Sequence, residues 1–380
     1  MPFNFCPKDG NLFRMLISIL VFVIILSVLI LVHELGHFLA ARRAGIWVEE
    51  FGFGLPPRLV GKKIGETIYS INLLPFGGFV RLHGENSETS VKNAAKAFIH
   101  KNKKTRILVI VAGVIMNFLL GIFAFAVFYS LSGIPREGKD VRVVEVTADS
   151  PAKIAGINLG DTIREVNEVK INKTSDFVTA IEKSKGREIN ILLEDEKGSL
   201  KQVGLIPRLA PPAGQGPIGV AVSASEIYFP PIWQRPFFGI YYGTKEAIFW
   251  GRTVLGGFAK IITDLFAGVA PKEVAGPVGI FALTSKVAGF GILAVINFMG
   301  ILSINLAILN IFPFPALDGG RLFFILVEGV FGKKILPKVE AAIHMAGMVI
   351  LILILLAITA REINIIRTVG FSGFVETVLK

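Results

Sequence analysis

The sequence His33-Glu34-Leu-Gly-His37 stands at the end of an apolar run that begins at Met15. Residues four apart share one face of a helix, so the two histidines can offer their imidazoles to the same metal ion. Glu34 lies beside them, where its carboxylate can take a proton from a water molecule. The run from Met15 to Val32 is about long enough to cross a bilayer as a helix. It exceeds the hydrophobic region of a signal peptide and continues into the histidine motif, which argues against cleavage.

The composition indicates a membrane protein. Hydrophobic residues make up 52% of the 380 positions, and the mean hydropathy is +0.63, too apolar for an ordinary soluble chain of this length. The formal net charge of +11 fits cytoplasmic loops that face anionic membrane lipid. It could also indicate nucleic-acid binding, but the sequence contains no basic module interleaved with aromatic residues, so we predict no nucleic-acid partner. The single cysteine, Cys6, excludes an intramolecular disulfide and a cysteine-based metal site.

Hydropathy predicts four transmembrane helices. Between the first two, Gly- and Phe-rich alternation predicts β-hairpins that lie at or dip into the membrane face, although a surface hairpin fits the pattern as well. The predicted segments are, in order, an N-terminal tail (1–12), a first transmembrane helix with the histidine motif (13–45), the β-hairpin region with a basic linker (46–106), a second transmembrane helix (107–131), a soluble insert (132–226), interfacial amphipathic segments (227–291), a third transmembrane helix (292–320), a loop (321–340), a fourth transmembrane helix (341–360) and a C-terminal tail (361–380).

The soluble insert has an α+β pattern. Strand-like alternation at 141–147, 188–194 and 200–206 accompanies a helical pattern at 175–183. The run Ser150-Pro-Ala-Lys-Ile-Ala-Gly-Ile-Asn-Leu-Gly-Asp-Thr-Ile resembles a PDZ domain, a fold that binds extended chain ends by strand addition. Residues 216–222 are a candidate for the binding strand, or else an ordinary closing strand. We therefore predict an α-helical integral membrane protein with four transmembrane helices, membrane-associated β-hairpins and one inserted α+β PDZ domain.

A second polar motif lies at the C-terminal end of the third predicted transmembrane helix. It reads Asn310-Ile-Phe-Pro-Phe-Pro-Ala-Leu-Asp318-Gly-Gly. The first and third helices cross the membrane in the same direction, so their C-terminal ends lie on the same face and at similar depth. Asp318 can therefore join His33 and His37, and three protein ligands leave a fourth position for water, as in catalytic zinc sites.

The charge of the hairpin region assigns the side of the membrane. Residues 42–106 contain twelve Lys and Arg but five Asp and Glu, a net charge of +7. The positive-inside rule makes this face cytoplasmic. The insert follows an even number of crossings, so we expect it on the opposite, extracytoplasmic side.

Together, the HELGH sequence, the Gly-Phe-Gly loop, the PDZ-like insert and the aspartate motif resemble the RseP-type site-2 proteases. The resemblance implies a zinc endopeptidase of the bacterial inner membrane that cleaves single-span membrane proteins within or near their transmembrane segments, after a first extracytoplasmic trimming. Anti-sigma-factor-like proteins and signal-peptide remnants are the implied substrates. The best-known member carries two tandem PDZ domains, whereas this insert has room for one. The residues implied are the zinc ligands His33, His37 and Asp318, the catalytic base Glu34, and the substrate-positioning residues Asn310 and Pro313.

An inert PDZ-bearing membrane scaffold with a structural metal is the alternative from another functional class. Glu34 separates the two hypotheses, because a structural metal site has no use for a base there. The other polar candidates receive structural interpretations: His83 and His100 as loop residues, His344 as a helix-end or packing residue, and Asn117, Asn297 and Asn305 as interhelical hydrogen-bonding residues.

Overall fold

The apolar run before His33 belongs to one helix, α1, which continues to Arg43 in a computed structural model of the chain. The structure describes residues 10–85, 91–195, 197–212, 214–269, 275–332 and 337–379, so Cys6, most of the predicted N-terminal tail, Lys333 and Lys334 lie outside it. The chain divides into a membrane unit, Met1–Ser132 with Ile232–Lys380, and an insert, Gly133–Pro231. The elements are α1 (Gly10–Arg43), β1 (Val48–Ile64), β2 (Thr67–Leu82), α2 (Lys103–Ser132), β3 (Ile134–Val146), α3 (Pro151–Ile154), β4 (Thr162–Val166), β5 (Val169–Lys170), α4 (Thr174–Lys183), β6 (Ile189–Glu194), β7 (Leu200–Leu205), β8 (Val220–Tyr228), α5 (Arg235–Phe266), α6 (Pro277–Ala288), α7 (Ile292–Ile311), α8 (Asp318–Phe331) and α9 (Pro337–Leu379).

Four of the described helices are long and apolar enough to cross a membrane: α1, α2, α7 and α9. The boundaries of the last two differ from prediction. Helix α7 ends at Ile311, because Pro313 and Pro315 follow and proline disfavours helix in the residue before it. The expected loop at 321–340 is instead largely α8, whose buried face includes Ile325 and Glu328. The expected tail at 361–380 continues α9 past a break at Gly370.

Helix α5, which falls within the range expected to contain interfacial segments (227–291), lies along the helix bundle. Its Gly239 approaches the backbone of Ala126 near the end of α2, and its Phe258 stacks on Phe312, just beyond the end of α7, at 5.4 Å. Helices α2 and α7 are antiparallel, so α5 reaches from one end of the bundle to the other. The face that makes this approach possible repeats small buried residues every fourth position, which lets helix backbones come close: Gly239, Gly243, Ala247 and Gly251.

Charged residues lower the mean hydropathy of α5, so hydropathy alone does not predict that this helix packs along the bundle. Glu246 lies in the middle of the helix, but it accepts hydrogen bonds from the Tyr129 hydroxyl and the Trp250 indole, both at 3.0 Å. A carboxylate with two donors costs less to bury than an isolated one. The helix can therefore pack against apolar neighbours despite its charged residues.

Helix α6 begins at a buried carboxylate that comes from another helix. Glu362 of α9 is 4% exposed and accepts hydrogen bonds from the backbone N–H groups of Gly276, at 2.7 Å, and Gly279, at 3.2 Å. The first N–H groups of a helix have no partner within the helix and favour negative charge nearby. Glu362 thus joins α9 to α6.

Strands β1 and β2 form a sheet that is folded back on itself, with Phe51 opposite both Val80 and Tyr69. Near its turn, β2 lies against the middle of α1. A Cβ on Gly77 would be 3.0 Å from Ile30, and a Cβ on Gly78 would be 3.8 Å from Glu34. This part of the sheet therefore lies alongside the apolar helix α1. Non-helical backbone is tolerated next to a membrane-spanning segment when it packs on protein.

The insert has a hydrophobic core of its own. Its strands follow the order β7-β6-β4-β3-β8, with β5 paired to β4. Helix α4 and strands β6 and β7 begin and end within one residue of their predicted ranges, whereas β3 begins earlier than expected. Strand β8 contains part of the candidate binding strand at 216–222 and lies at an edge of the sheet. The core includes Val141, Ile163, Ile191 and Leu193.

Candidate metal centre

Three side chains from two helices converge in the membrane unit. The Nε2 atom of His33 lies 2.9 Å from Oδ2 of Asp318, and Nε2 of His37 lies 3.1 Å from the same oxygen. The two Nε2 atoms are 3.1 Å apart. Ligand atoms around a tetrahedral zinc ion at about 2.0–2.1 Å lie roughly 3.3 Å from one another. This set of two imidazoles and one carboxylate therefore fits such an ion with shifts of a few tenths of an ångström.

The local sequence explains how Asp318 reaches the histidines. It is the first residue of α8, directly after the loop that ends α7. A Cβ on Gly319 would be 2.0 Å from the carbonyl oxygen of Phe312, and one on Gly320 would be 2.6 Å from that of Phe314. Only glycine lets the first turn of α8 fold back onto this loop. The two glycines of the motif thus allow the backbone fold that places the Asp318 carboxylate beside His33 and His37 of α1.

Helix α9 supports the same loop. The backbone N–H of Ala316 donates to Nδ1 of His344 at 3.0 Å, and Ala316 has a φ of 82°, unusual for a residue other than glycine. Gly347, one turn further along, lies so close that a Cβ would be 2.3 Å from Pro315. His344 thus accepts a hydrogen bond that fixes the backbone two residues before Asp318.

Helix α2 provides the surroundings of both imidazoles. His37 uses Nδ1 to donate to the carbonyl oxygen of Val109 at 2.8 Å, which leaves Nε2 directed at the other ligands. Asn117 lies 3.3 Å from Nδ1 of His33 and is fully buried. Between them, a Cβ on Gly113 would be 2.5 Å from Nε2 of His37. The sequence pattern assigns no role to Gly113 or Val109, and the relevant signal is Asn117, a polar residue in the uncharged stretch from 107 to 131.

Glu34 lines two cavities that meet at the metal-binding group. The larger, about 670 Å³, is also lined by His37, Asp318 and several charged residues, including Arg321. The smaller, about 230 Å³, is lined by His33, Asp318 and residues of α1 and α7 such as Asn310. Strand β2 passes the same side chain, because a Cβ on Gly78 would be 3.8 Å from Glu34. Glu34 therefore lies between β2 and the two cavities.

The two residues expected to position substrate differ in their surroundings. Asn310 is buried, with Nδ2 3.4 Å from Nε2 of His33. Pro313 is exposed in the loop after α7, and the described residues that line the two cavities do not include it. The structure thus brings Asn310, but not Pro313, to the histidines.

The remaining polar candidates lie away from the three ligand atoms. His83 is 1% exposed, so the loop interpretation misses its burial: Nδ1 lies 2.7 Å from Glu49, and the ring packs on Trp47. His100 is exposed in a short 3-10 helix at the larger cavity. Asn305 donates to Ile301 of its own helix rather than to a neighbour.

Comparison with known proteins assigns the family. A sequence profile described as peptidase family M50 matches residues 21–354. The chain belongs to peptidase family M50. Together with the four apolar helices, this membership makes it an integral membrane peptidase.

Relatives of this M50 peptidase match along almost their whole length. A protein of Clostridium acetobutylicum described as a zinc metalloprotease is 33% identical, over 93% of this chain and 98% of the relative. Zinc metalloprotease RasP of Geobacillus kaustophilus is 30% identical, and regulator of sigma-W protease RasP of Bacillus subtilis is 28% identical, each over 91% of this chain and 98% of the relative. Among solved structures, the PDZ domain of an SdrC-like protein from Listeria monocytogenes is 23% identical over 23% of this chain and 88% of its own, with a TM-score of 0.20.

Proposed function

We propose that this M50 peptidase is a zinc-dependent intramembrane protease that cleaves single-span membrane proteins within or near their transmembrane segments, after a first extracytoplasmic trimming. The observation that carries the proposal is the convergence of His33, His37 and Asp318 beside Glu34, at the end of an apolar helix. Ionisable residues are costly inside a membrane and are usually functional there. The zinc metalloprotease descriptions of relatives at about 30% identity agree with the donor set.

Each site residue has a role in this chemistry. His33, His37 and Asp318 would hold the ion, and three protein ligands would leave a position for water. Zinc bound there would polarise the scissile carbonyl and lower the pKa of a water molecule towards about 7. The Glu34 carboxylate takes a proton from the water and passes it to the leaving amide nitrogen.

The two cavities suggest separate paths for substrate and water. The smaller cavity lies between α1 and α7, where Ile30 and Leu306 offer an apolar lining and Asn310 an amide for a substrate carbonyl. The larger cavity has charged walls suited to water and released peptide. A helical substrate hides its peptide bonds in its own hydrogen bonds, so it must be held extended. Strand β2, which passes Glu34 at Gly78, is the candidate to pair with it. Pro313 remains a predicted positioning residue.

The orientation and partners follow from charge and relatives. The net charge of +7 on residues 42–106 favours a cytoplasmic site and an extracytoplasmic insert in a bacterial inner membrane. We assign the insert, Gly133–Pro231, to the PDZ fold on its sequence motif. One relative is described as a regulator of sigma-W protease, which favours anti-sigma-factor-like membrane proteins as substrates, with signal-peptide remnants as a second class.

The experiment separates the base from the ligands. Purified full-length protein in detergent is assayed for zinc content and for cleavage of a trimmed single-span substrate. Glu34→Gln should keep its zinc and lose activity about 100- to 10,000-fold, the usual contribution of a general acid–base residue. His33→Ala, His37→Ala and Asp318→Ala should lose both zinc and activity, because each removes a ligand.

A matched control is Glu168→Gln, which neutralises an exposed carboxylate of the insert and should change neither reading. Full zinc content and full activity in Asp318→Ala would remove it from the ligand set. A parent protein that holds zinc but cleaves no single-span substrate would instead favour the inert scaffold.

A further inference from the structure

The position of His33 determines which of its two ring nitrogens carries the hydrogen. Its Nε2 atom faces Asp318 and His37 at 2.9 and 3.1 Å, so this nitrogen must present its lone pair if the group holds a metal ion. A neutral imidazole carries one hydrogen, which must then be on Nδ1. Metal-binding histidines almost always donate this second hydrogen to an acceptor that fixes the orientation of the ring. His37 does so at the carbonyl oxygen of Val109.

The group next to Nδ1 of His33 is the amide of Asn117. Its Nδ2 atom lies 3.3 Å from Nδ1, while its Oδ1 atom is buried without a hydrogen-bond partner among the described residues. Oxygen and nitrogen of an asparagine amide are assigned from their hydrogen-bond surroundings, and a half-turn about the last bond exchanges them. Either orientation leaves one amide atom unpartnered here. Only the orientation with Oδ1 towards His33 avoids two donors facing each other.

The backbone at Asn117 is held in place independently of its side chain. The hydroxyl of Ser303 in α7 donates to the carbonyl oxygen of Asn117 at 2.7 Å, and both residues are fully buried. Asn117 lies eight residues after Val109, about two helical turns, so both partners are on the same face of α2. The other amide near His33, that of Asn310, lies 3.5 Å from Nδ1 and 3.4 Å from Nε2. It is placed between the two nitrogens rather than in line with one hydrogen.

We propose that Asn117 is a positioning residue for the metal centre: its Oδ1 accepts the Nδ1 hydrogen of His33 and so holds Nε2 towards the ion. The inference rests on the proposed function, because it requires that His33 bind a metal. It gives α2 a matched pair of acceptors, the Val109 carbonyl for His37 and the Asn117 amide for His33. Outer partners of this kind typically contribute 10- to 100-fold to metal affinity.

The test measures metal affinity rather than turnover. Full-length protein in detergent is stripped of metal, and zinc is titrated in competition with a fluorescent chelator. Asn117→Leu keeps the volume but removes the acceptor, so its zinc affinity should fall about 10- to 100-fold. Asn117→Asp offers an oxygen and no donor, so its affinity should equal or exceed that of the parent. Cobalt(II) absorption should show a distorted site in Asn117→Leu and a parent-like spectrum in Asn117→Asp.

The matched control is Asn305→Leu, which removes an amide that bonds within α7 and should leave zinc affinity unchanged. Unfolding of the metal-free proteins shows which variants are folded. Folded Asn117→Leu with the affinity of the parent would overturn the inference. If Asn117→Leu fails to fold, Asn117→Asp decides: retained affinity supports an acceptor, and lost affinity in a folded protein means that the amide donates, which contradicts the proposal. A parent that binds no zinc would contradict the proposed function instead.

Discussion

Gly113 occupies the narrowest point between α2 and the two imidazoles. A Cβ there would lie 2.5 Å from Nε2 of His37 and 2.8 Å from Cε1 of His33, closer than real carbon contacts allow. On α1, Gly36 faces the same contact, since its Cβ would be 2.4 Å from the carbonyl oxygen of Ala112. The missing side chains let the helices approach until the backbone of α2 meets the histidine rings.

Gly113→Ala should therefore weaken zinc binding by about tenfold or more, because one displaced imidazole loses its geometry and its outer hydrogen bond. Zinc affinity of the purified protein is the measurement. Gly256→Ala on α5 is the control, since its Cβ would meet no described heavy atom within 4 Å. An unchanged affinity in Gly113→Ala would mean that the helices separate without cost.

The sequence predicted the candidate site residues whose relative positions are set by spacing within one helix or by a short motif. His33, Glu34 and His37 are fixed relative to one another by helical spacing, and Asp318 joined them through the direction of two spans and a recognisable motif. Val109 and Gly113 could not be found in this way. Their roles depend on the rotation of α2 about its own axis, and an all-round apolar sequence leaves that rotation undetermined.

At the scale of elements, α8 is fastened to α2 by a buried ion pair. Arg106 donates to the carboxylate of Glu328, with side chains 10% and 5% exposed. Lys103 donates to the backbone carbonyl of Glu328 at 2.7 Å. Because Asp318 begins α8, this attachment near the other end of the helix helps to fix the direction in which the Asp318 carboxylate points.

Arg106→Met should destabilise the membrane unit by about 3–5 kcal/mol, because it leaves the Glu328 carboxylate buried without its partner. The double variant Arg106→Met with Glu328→Met should recover most of that loss. Lys96→Met is the control: its pair with Glu66 is exposed, at 41% and 63%, and should contribute at most about 1 kcal/mol. Equal losses at both sites, measured by denaturant unfolding in detergent, would contradict the distinction.

Sequence patterns gave the four apolar helices and several elements of the insert, but not helices α5 and α8. Helix α8 was mistaken for a loop because lysines follow it, and a short amphipathic helix next to a charged turn resembles a surface segment. Helix α5 was predicted to be interfacial because its Gly- and aromatic-rich sequence is too interrupted for a confident transmembrane span. Tyr129, which offsets the charge of Glu246, comes from a distant part of the chain, so no local window could include it.

For the whole molecule, the prediction to test is the orientation of the chain in the membrane. With Cys6→Ser as background, Lys104→Cys at the start of α2 and Lys197→Cys in the insert provide two exposed labelling positions. The excess of basic residues at 42–106 predicts a cytoplasmic hairpin region. A membrane-impermeant thiol reagent added to intact cells should therefore label position 197 and reach position 104 only after permeabilisation.

The reverse labelling pattern would invert the chain and place the metal centre at the outer face. The metal-site geometry would survive that result, because it does not depend on which side of the membrane is which. Only the assignment of sides, and with it the expected compartment of the released fragments, would change.

The hydrogen bonds from the start of α6 to Glu362 of α9 imply an order in which the helices reach their final state during synthesis. The N–H groups of Gly276 and Gly279 leave the ribosome long before their acceptor, which is made 83 residues after Gly279. In a bilayer an unsatisfied helix end is unfavourable, so α6 reaches its final state only once α9 has been inserted. Helix α9 thus completes the start of α6, and a chain interrupted before Glu362 leaves the N–H groups of Gly276 and Gly279 without this acceptor.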